Sequence, residues 1–133
     1  MTNQKQPGIL EGLVLLSILV SFKKDSIKLK SILQNIDFFN RYVPDYKNLK
    51  CTFKYLSGTK VILRDENGYY PAKSIIEKYN EIPSSKSLLE RAEIVQRILG
   101  AEIKKPSVEG QIYPSHEEYL TAVADMRQEW GTL

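Results

Sequence analysis

Residues Pro44 to Ala72 put a short amphipathic helix directly before a β-hairpin, and that pairing limits the fold more than anything else in the chain. Pro44-Asp45-Tyr46-Lys47-Asn48-Leu49-Lys50 opens the helix, and Phe53, Leu56 and Ser57-Gly58 close it. Two β-rich runs follow, Lys60-Val61-Ile62-Leu63-Arg64 and Tyr69-Tyr70-Pro71-Ala72, separated by Asp65-Glu66-Asn67-Gly68. The Asn67-Gly68 dipeptide predicts a tight two-residue turn, because Asn and Gly tolerate the positive φ that both central positions of such a turn require. Two helical segments lie upstream, so the expected order is helix, helix, helix, wing.

The first of those segments is a nearly continuous apolar run from Ile9 to Phe22. Glu11 and Gly12 interrupt it, and Lys23-Lys24 end it short of the roughly 20 residues a membrane span needs. Lys5 is the one positive charge before it, and no small-x-small cleavage site follows Val20. A buried helix from about Ile9 to Lys24 is therefore expected rather than a leader or a span. A surface helix shows one apolar stripe, whereas this one is apolar around most of its circumference. A second partner must cover the remainder, either the C-terminal segment or another subunit. Asp25-Ser26 offers N-cap chemistry for a second helix carrying Ile27, Leu29, Ile32, Leu33, Ile36 and Phe39. Asn40-Arg41-Tyr42-Val43 forms the turn, and Pro44 suits the first position of the third helix. A short helix from Lys73 to Tyr79 completes a first unit, residues 1–80.

Glu81-Ile82-Pro83-Ser84-Ser85 reads as a break before a second unit, residues 81–133. There Ser84 or Ser85 is expected to cap a helix carrying Leu88, Leu89, Ala92, Val95, Ile98 and Leu99, ended by Gly100. Ala101 to Pro114 is expected to be irregular. Ser115-His116-Glu117-Glu118 then forms a capping box ahead of a last helix with Tyr119, Val123, Met126 and Trp130 on one face. The two units differ in charge. Residues 1–80 hold 13 Lys/Arg against 7 Asp/Glu, whereas residues 81–133 hold 6 against 9. A net +6 beside a net −3 points to a polyanionic partner for the first unit.

The third helix carries that charge on one face. Tyr46, Leu49, Phe53 and Leu56 share an apolar side, opposite Lys47, Lys50, Cys51 and Lys54. Lysines so placed meet phosphates when a helix enters a DNA groove, and Asn48 has the donor and acceptor to read an adenine edge. Arg41 before the helix, with Lys60 and Arg64 in the hairpin, extends the positive surface. Exposed lysines are also what any soluble helix carries, and Asp45 and Asp65-Glu66 stand where phosphate would be repelled. Other chemistries lack their residues. One cysteine, Cys51, and one histidine, His116, supply neither a zinc site nor a thiol with a base. No glycine-rich phosphate loop or G-x-S-x-G is present. No enzyme activity, cofactor or metal is expected, and the lone thiol fits the reducing cytoplasm.

Ile36-Asp37-Phe38-Phe39-Asn40-Arg41-Tyr42-Val43-Pro44-Asp45-Tyr46, with Leu49, Tyr55-Leu56 and Gly68-Tyr69-Tyr70-Pro71, resembles a group of small uncharacterised bacterial winged helix-turn-helix proteins. The resemblance covers about residues 9–80, and more weakly Ile112-Tyr113-Pro114-Ser115. It implies a mainly α fold with a small β-hairpin, a winged helix-turn-helix with a C-terminal helical extension, related to transcription regulators. Two functions follow as expectations. One is a DNA-binding regulator reading duplex DNA with Arg41, Lys47, Asn48, Lys50, Lys54, Lys60 and Arg64, dimerising through helix one and the Trp130 helix. The other is a protein-interaction module on the same scaffold that binds no nucleic acid. A pocket for a small effector between subunits is a third possibility, without a polar constellation to support it.

Overall fold

In a computed structural model, which describes residues 9–102 and 111–131, the chain is mainly helical with one small antiparallel hairpin. In chain order the elements are α1 (Ile9–Ser21), α2 (Leu29–Asn40), α3 (Tyr46–Gly58), β1 (Ile62–Asp65), β2 (Gly68–Pro71), α4 (Lys73–Asn80), α5 (Leu88–Glu102) and α6 (His116–Gly131). The residues before Ile9 and most of the irregular stretch expected between α5 and α6 lie outside the described residues.

α1 is the central helix, with every residue from Glu11 to Leu19 buried. Its one internal hydroxyl, on Ser17, donates to the Leu13 carbonyl at 2.7 Å, so no polar group is stranded there. The α2 side chain Asn35 donates through Nδ2 to the Ser17 carbonyl and the Ser21 hydroxyl, fixing the α1–α2 register. α2 and α3 cover part of α1, and α5 covers the rest, burying Val95 and Leu99 completely. The apolar surface that suggests a homodimer through helix one is thus used within a single chain. α6 packs on α2 and adds Ala122 and Met126 to the same buried cluster. Trp130 belongs to α6, but its side chain lies outside the described residues.

The hairpin is tied to the α1–α2 connection, and this changes several sequence expectations. Ile27 is not part of α2. Its N–H donates to the Tyr69 carbonyl at 2.7 Å and its carbonyl accepts from the Tyr69 N–H at 2.8 Å, an isolated bridge on the free edge of β2. Ser26 caps no helix either, since α2 begins at Leu29 behind Lys28. The Ser26 hydroxyl instead donates to Asp65 Oδ1 at 2.8 Å. That same oxygen accepts the N–H groups of Asn67 and Gly68 at 2.7 and 3.0 Å. Asp65 pairs with Gly68 across the ladder, so Glu66-Asn67 form the turn and Asn67-Gly68 do not. Asp65's side chain, rather than two positive-φ residues, organises this turn. Gly68 is needed for another reason: its φ is +155°, and a Cβ there would strike the Ile27 carbonyl, with the carbonyl carbon 2.7 Å away.

Other boundaries move by a residue or more. α1 ends at Ser21 rather than Lys24, and Arg41 ends α2 in the left-handed conformation, φ 59°. Pro44 is not the first residue of α3, which begins at Tyr46 behind its N-cap Asp45, whose carboxylate accepts from the Asn48 N–H at 2.8 Å. α5 is capped at Ser87 by a reciprocal pair: Ser87 Oγ accepts from the Glu90 N–H and Glu90 Oε1 accepts from the Ser87 N–H. Gly100 lies inside α5, not beyond it. Among the described residues no helix is long and apolar enough to cross a membrane.

Candidate nucleic-acid interface

α3 contains Lys47, Lys50 and Lys54 and no acidic residue. Leu49, Phe53 and Leu56 are fully buried, which turns the opposite side of the helix outward. At 100° per residue that outward line runs through Lys47, Cys51, Lys54 and Gly58, with Lys50 on one flank and Asn48 on the other. Lys47, Asn48 and Cys51 are exposed, while Lys50 and Lys54 are half-buried.

One segment covers part of both lysines, and Lys50 also lies 6.0 Å from the Tyr46 ring. Gln111 to Ser115 and the first turn of α6, here called the strap, lie along the flank of α3. The Tyr113 ring sits 4.8 Å from Lys50 Nζ and 5.2 Å from Lys54 Nζ, cation–π distances for both. Tyr46 of α3 donates its hydroxyl to the Pro114 carbonyl at 2.9 Å, and Ser57 donates to the Ile112 carbonyl at 3.2 Å. Tyr119 donates to the Pro44 carbonyl at 2.8 Å, bracing the strap from the other end of α3. Burial, with the Asp45 charge nearby, holds the Tyr119 phenol above its ordinary pKa, so it remains a donor. His116 lies tilted against Tyr46, with ring centroids 4.9 Å apart and 46° between the planes.

The strap also reaches the hairpin. The capping box expected between Ser115 and Glu118 forms only in half: Ser115 Oγ accepts from the Glu118 N–H at 3.0 Å. The Glu118 carboxylate turns away to Arg64, 3.2 Å distant, and accepts from the buried Tyr69 hydroxyl at 3.1 and 3.2 Å. The Arg64 guanidinium lies 4.9 Å from the Tyr69 ring and donates weakly to the Tyr113 carbonyl. Burial foremost, and then the Glu118 charge, push the Tyr69 phenol far above its ordinary value, against the opposing pull of Arg64. Tyr69 also packs edge-on against Phe53 of α3, centroids 4.9 Å apart, an arrangement worth about 0.5–1.5 kcal/mol beyond the area buried.

The seven residues expected to contact nucleic acid therefore divide. Lys47 and Lys60 are exposed, the latter at the α3–β1 turn with φ 62°, and Arg41 is exposed in the turn before α3. Lys50 and Lys54 share Tyr113, and Arg64 is paired with Glu118. Asn48 points its amide at its own cap, donating from Nδ2 to Asp45 Oδ2 at 3.3 Å. The two acidic features that weigh against DNA contact also find structural roles. Asp45 caps α3, and Asp65 holds the hairpin turn, where its hydrogen bonds keep its carboxyl below the usual range. Sequence reasoning does not pick out Ser57, Tyr69, Tyr113 or Glu118 as parts of this surface. Tyr69 and Tyr113 enter only through the runs Gly68-Tyr69-Tyr70-Pro71 and Ile112-Tyr113-Pro114-Ser115, and Glu118 only as a capping residue.

One cavity adjoins this surface and another lies apart from it. A polar cleft of about 490 Å³ between the hairpin, the start of α2 and α6 is lined by Lys28, Arg64, Asn67, Glu118, Thr121 and Asp125. An apolar groove of about 480 Å³ lies on the far side, where α1, α2 and α5 meet, with Ile9, Phe38 and Leu89 67%, 72% and 74% exposed. Among the described residues no cluster of three or more His, Cys, Asp or Glu side chains is placed to hold a metal ion. Compared with known proteins, the chain matches no family model, no curated protein and no solved structure.

Proposed function

We propose that this chain is a cytoplasmic DNA-binding regulator of the winged-helix type, with α3 as the helix that enters the groove. One observation carries the reading: along its whole length α3 bears three lysines and no acid, and Lys47 and Lys54 stand on its outward line. Lys47 and Lys54 are about 10 Å apart along the axis, from the rise of about 1.5 Å per residue. Arg41 and Lys60 add positive charge at the two ends of the helix. Lysine offers donors and charge but no base-specific fork, so this surface suits phosphate contact first and sequence reading second. Residues 11–19 of α1 are covered within the chain, so the reading needs no second copy at that seam.

The test is a salt titration with mixed-sequence duplex DNA. Three to five phosphate contacts give a slope of log K against log salt of about −3 to −4.5. Reversing charge at both outward positions, Lys47→Glu with Lys54→Glu, should reduce binding to background. Unchanged affinity in that variant removes α3 as the contact.

A second reading, a protein-interaction module, is favoured by the apolar groove with Ile9, Phe38 and Leu89 on its rim. It anticipates no duplex affinity above background near physiological salt, and association that Phe38→Asp or Leu89→Asp abolishes while Lys47→Glu leaves it intact.

A further inference from the structure

One short segment, Tyr113 to Tyr119, holds three of the seven cationic or polar groups on the candidate interface. Tyr113 covers Lys50 and Lys54, and Glu118 neutralises Arg64. The strap brings an aromatic face and a carboxylate to the groups a phosphate backbone would use, and it belongs to the acidic half of the chain.

We infer that the strap is an intramolecular competitor for the nucleic-acid face of α3, displaced when a polyanion binds. The inference rests on the duplex-binding reading above. Its physical basis is the character of the contacts. The strap is held by two cation–π contacts, by hydrogen bonds that Tyr46, Ser57 and Tyr119 donate to backbone carbonyls, and by the Tyr69 hydroxyl on Glu118, contacts spread along the segment rather than gathered at one point. The Arg64–Glu118 pair is 41% and 29% exposed, so it is only a modest tie. No single bond secures the segment, and a polyanion offers Lys50, Lys54 and Arg64 full charges in place of a ring and one carboxylate. Ala122 and Met126 hold α6 in the core beyond its first turn, so the strap, that first turn included, can lift while the rest of the helix stays seated.

The experiment measures mixed-sequence duplex affinity against salt for the full chain and for Tyr113→Ala, which leaves every lysine in place. Uncovering two lysines should tighten binding about 3- to 10-fold and steepen the salt slope by about 1 to 2. A purely structural role for Tyr113 would not steepen the slope. Hydrogen exchange on the wild-type chain gives a readout free of any variant: duplex should speed exchange across residues 111–119 while slowing it in α3. If the wild type binds duplex but Tyr113→Ala binds equally or more weakly, with no faster exchange in the strap, competition is overturned and the DNA reading stands. If neither protein binds duplex at any salt, the DNA reading fails and the competition falls with it.

Discussion

α5 and α6 join the same core by opposite means. α5 covers the bare side of α1 with Ala92, Val95, Ile98 and Leu99, an apolar seam without direction and with little sensitivity to salt. α6 places Ala122 and Met126 against α2, but its leading end is held by donors, acceptors and charges spread over α3 and the hairpin. Apolar area accumulates into stability, whereas polar contacts exchanged with water contribute little net energy and specify position instead. The α5 seam therefore sets whether the chain folds, and the strap seam sets which surface α3 presents.

The largest break in this comparison should come from Leu99→Ala, which removes a fully buried side chain from the α1–α5 seam. It should cost about 2–5 kcal/mol in denaturant unfolding. A loss below about 1 kcal/mol would mean that the seam collapses without penalty. Gly68→Ala should follow at about 2–4 kcal/mol, because it combines an unfavourable φ with a clash against the Ile27 backbone. Equal stability there would show that the Ile27–Tyr69 bridge separates at no cost. On the strap, Glu118→Gln should cost only about 0.5–1 kcal/mol while speeding amide exchange in residues 111–119. A cost as large as that of Leu99→Ala would erase the distinction between the two seams.

Changes of pH test the hairpin end of the strap seam. Tyr69 has its phenol pKa raised by folding, so the unfolded chain releases that proton first, near the ordinary value of 10.0. Stability from this group is intact below pH 10 and falls as pH rises beyond it. Tyr69→Phe should flatten that alkaline decline, and an unchanged slope would assign it to other groups. Asp65 behaves oppositely: its carboxyl is lowered, first by the Ser26 hydroxyl and then by the Asn67 N–H. Its contribution is complete above the ordinary carboxylate pKa and disappears as pH falls through the lowered value. Asp65→Asn should remove only a slight acid sensitivity, read from the unfolding midpoint between pH 5 and 2.

Elements governed by neighbours along the chain are legible in the residues themselves. The all-round apolar character of Leu13 to Leu19 requires a second cover, and α5 provides it. The helix–hairpin order from Tyr46 to Pro71 follows from periodicity and turn residues. Long-range relations are not legible in this way. Asn67-Gly68 is a strong local turn signal, yet Asp65's carboxylate and the Ile27 carbonyl decide what those residues do. Asp25-Ser26 looks like a cap because cap chemistry is local, but Ser26 is used by a partner 39 residues away. The basic line of α3 is visible as spacing. Its cover is not, because nothing near Lys50 marks Tyr113 as its neighbour. Ser57 and Ile112 are 55 residues apart, and Tyr119 and Pro44 are 75.

The Tyr69 side chain has a consequence for the order of assembly. Four stretches of chain converge on this residue: Ile27 on its backbone, Phe53 on its ring, Arg64 over its face and Glu118 at its hydroxyl. The hairpin can close locally within microseconds, but the closing contact at Glu118 spans 49 residues and must wait for a large loop. Tyr69 should thus pass through two environments during refolding, first pressed on Phe53 with its hydroxyl open to water, and later sealed when the carboxylate arrives. In refolding kinetics, substitutions at Phe53 should slow folding, and those at Glu118 should chiefly quicken unfolding.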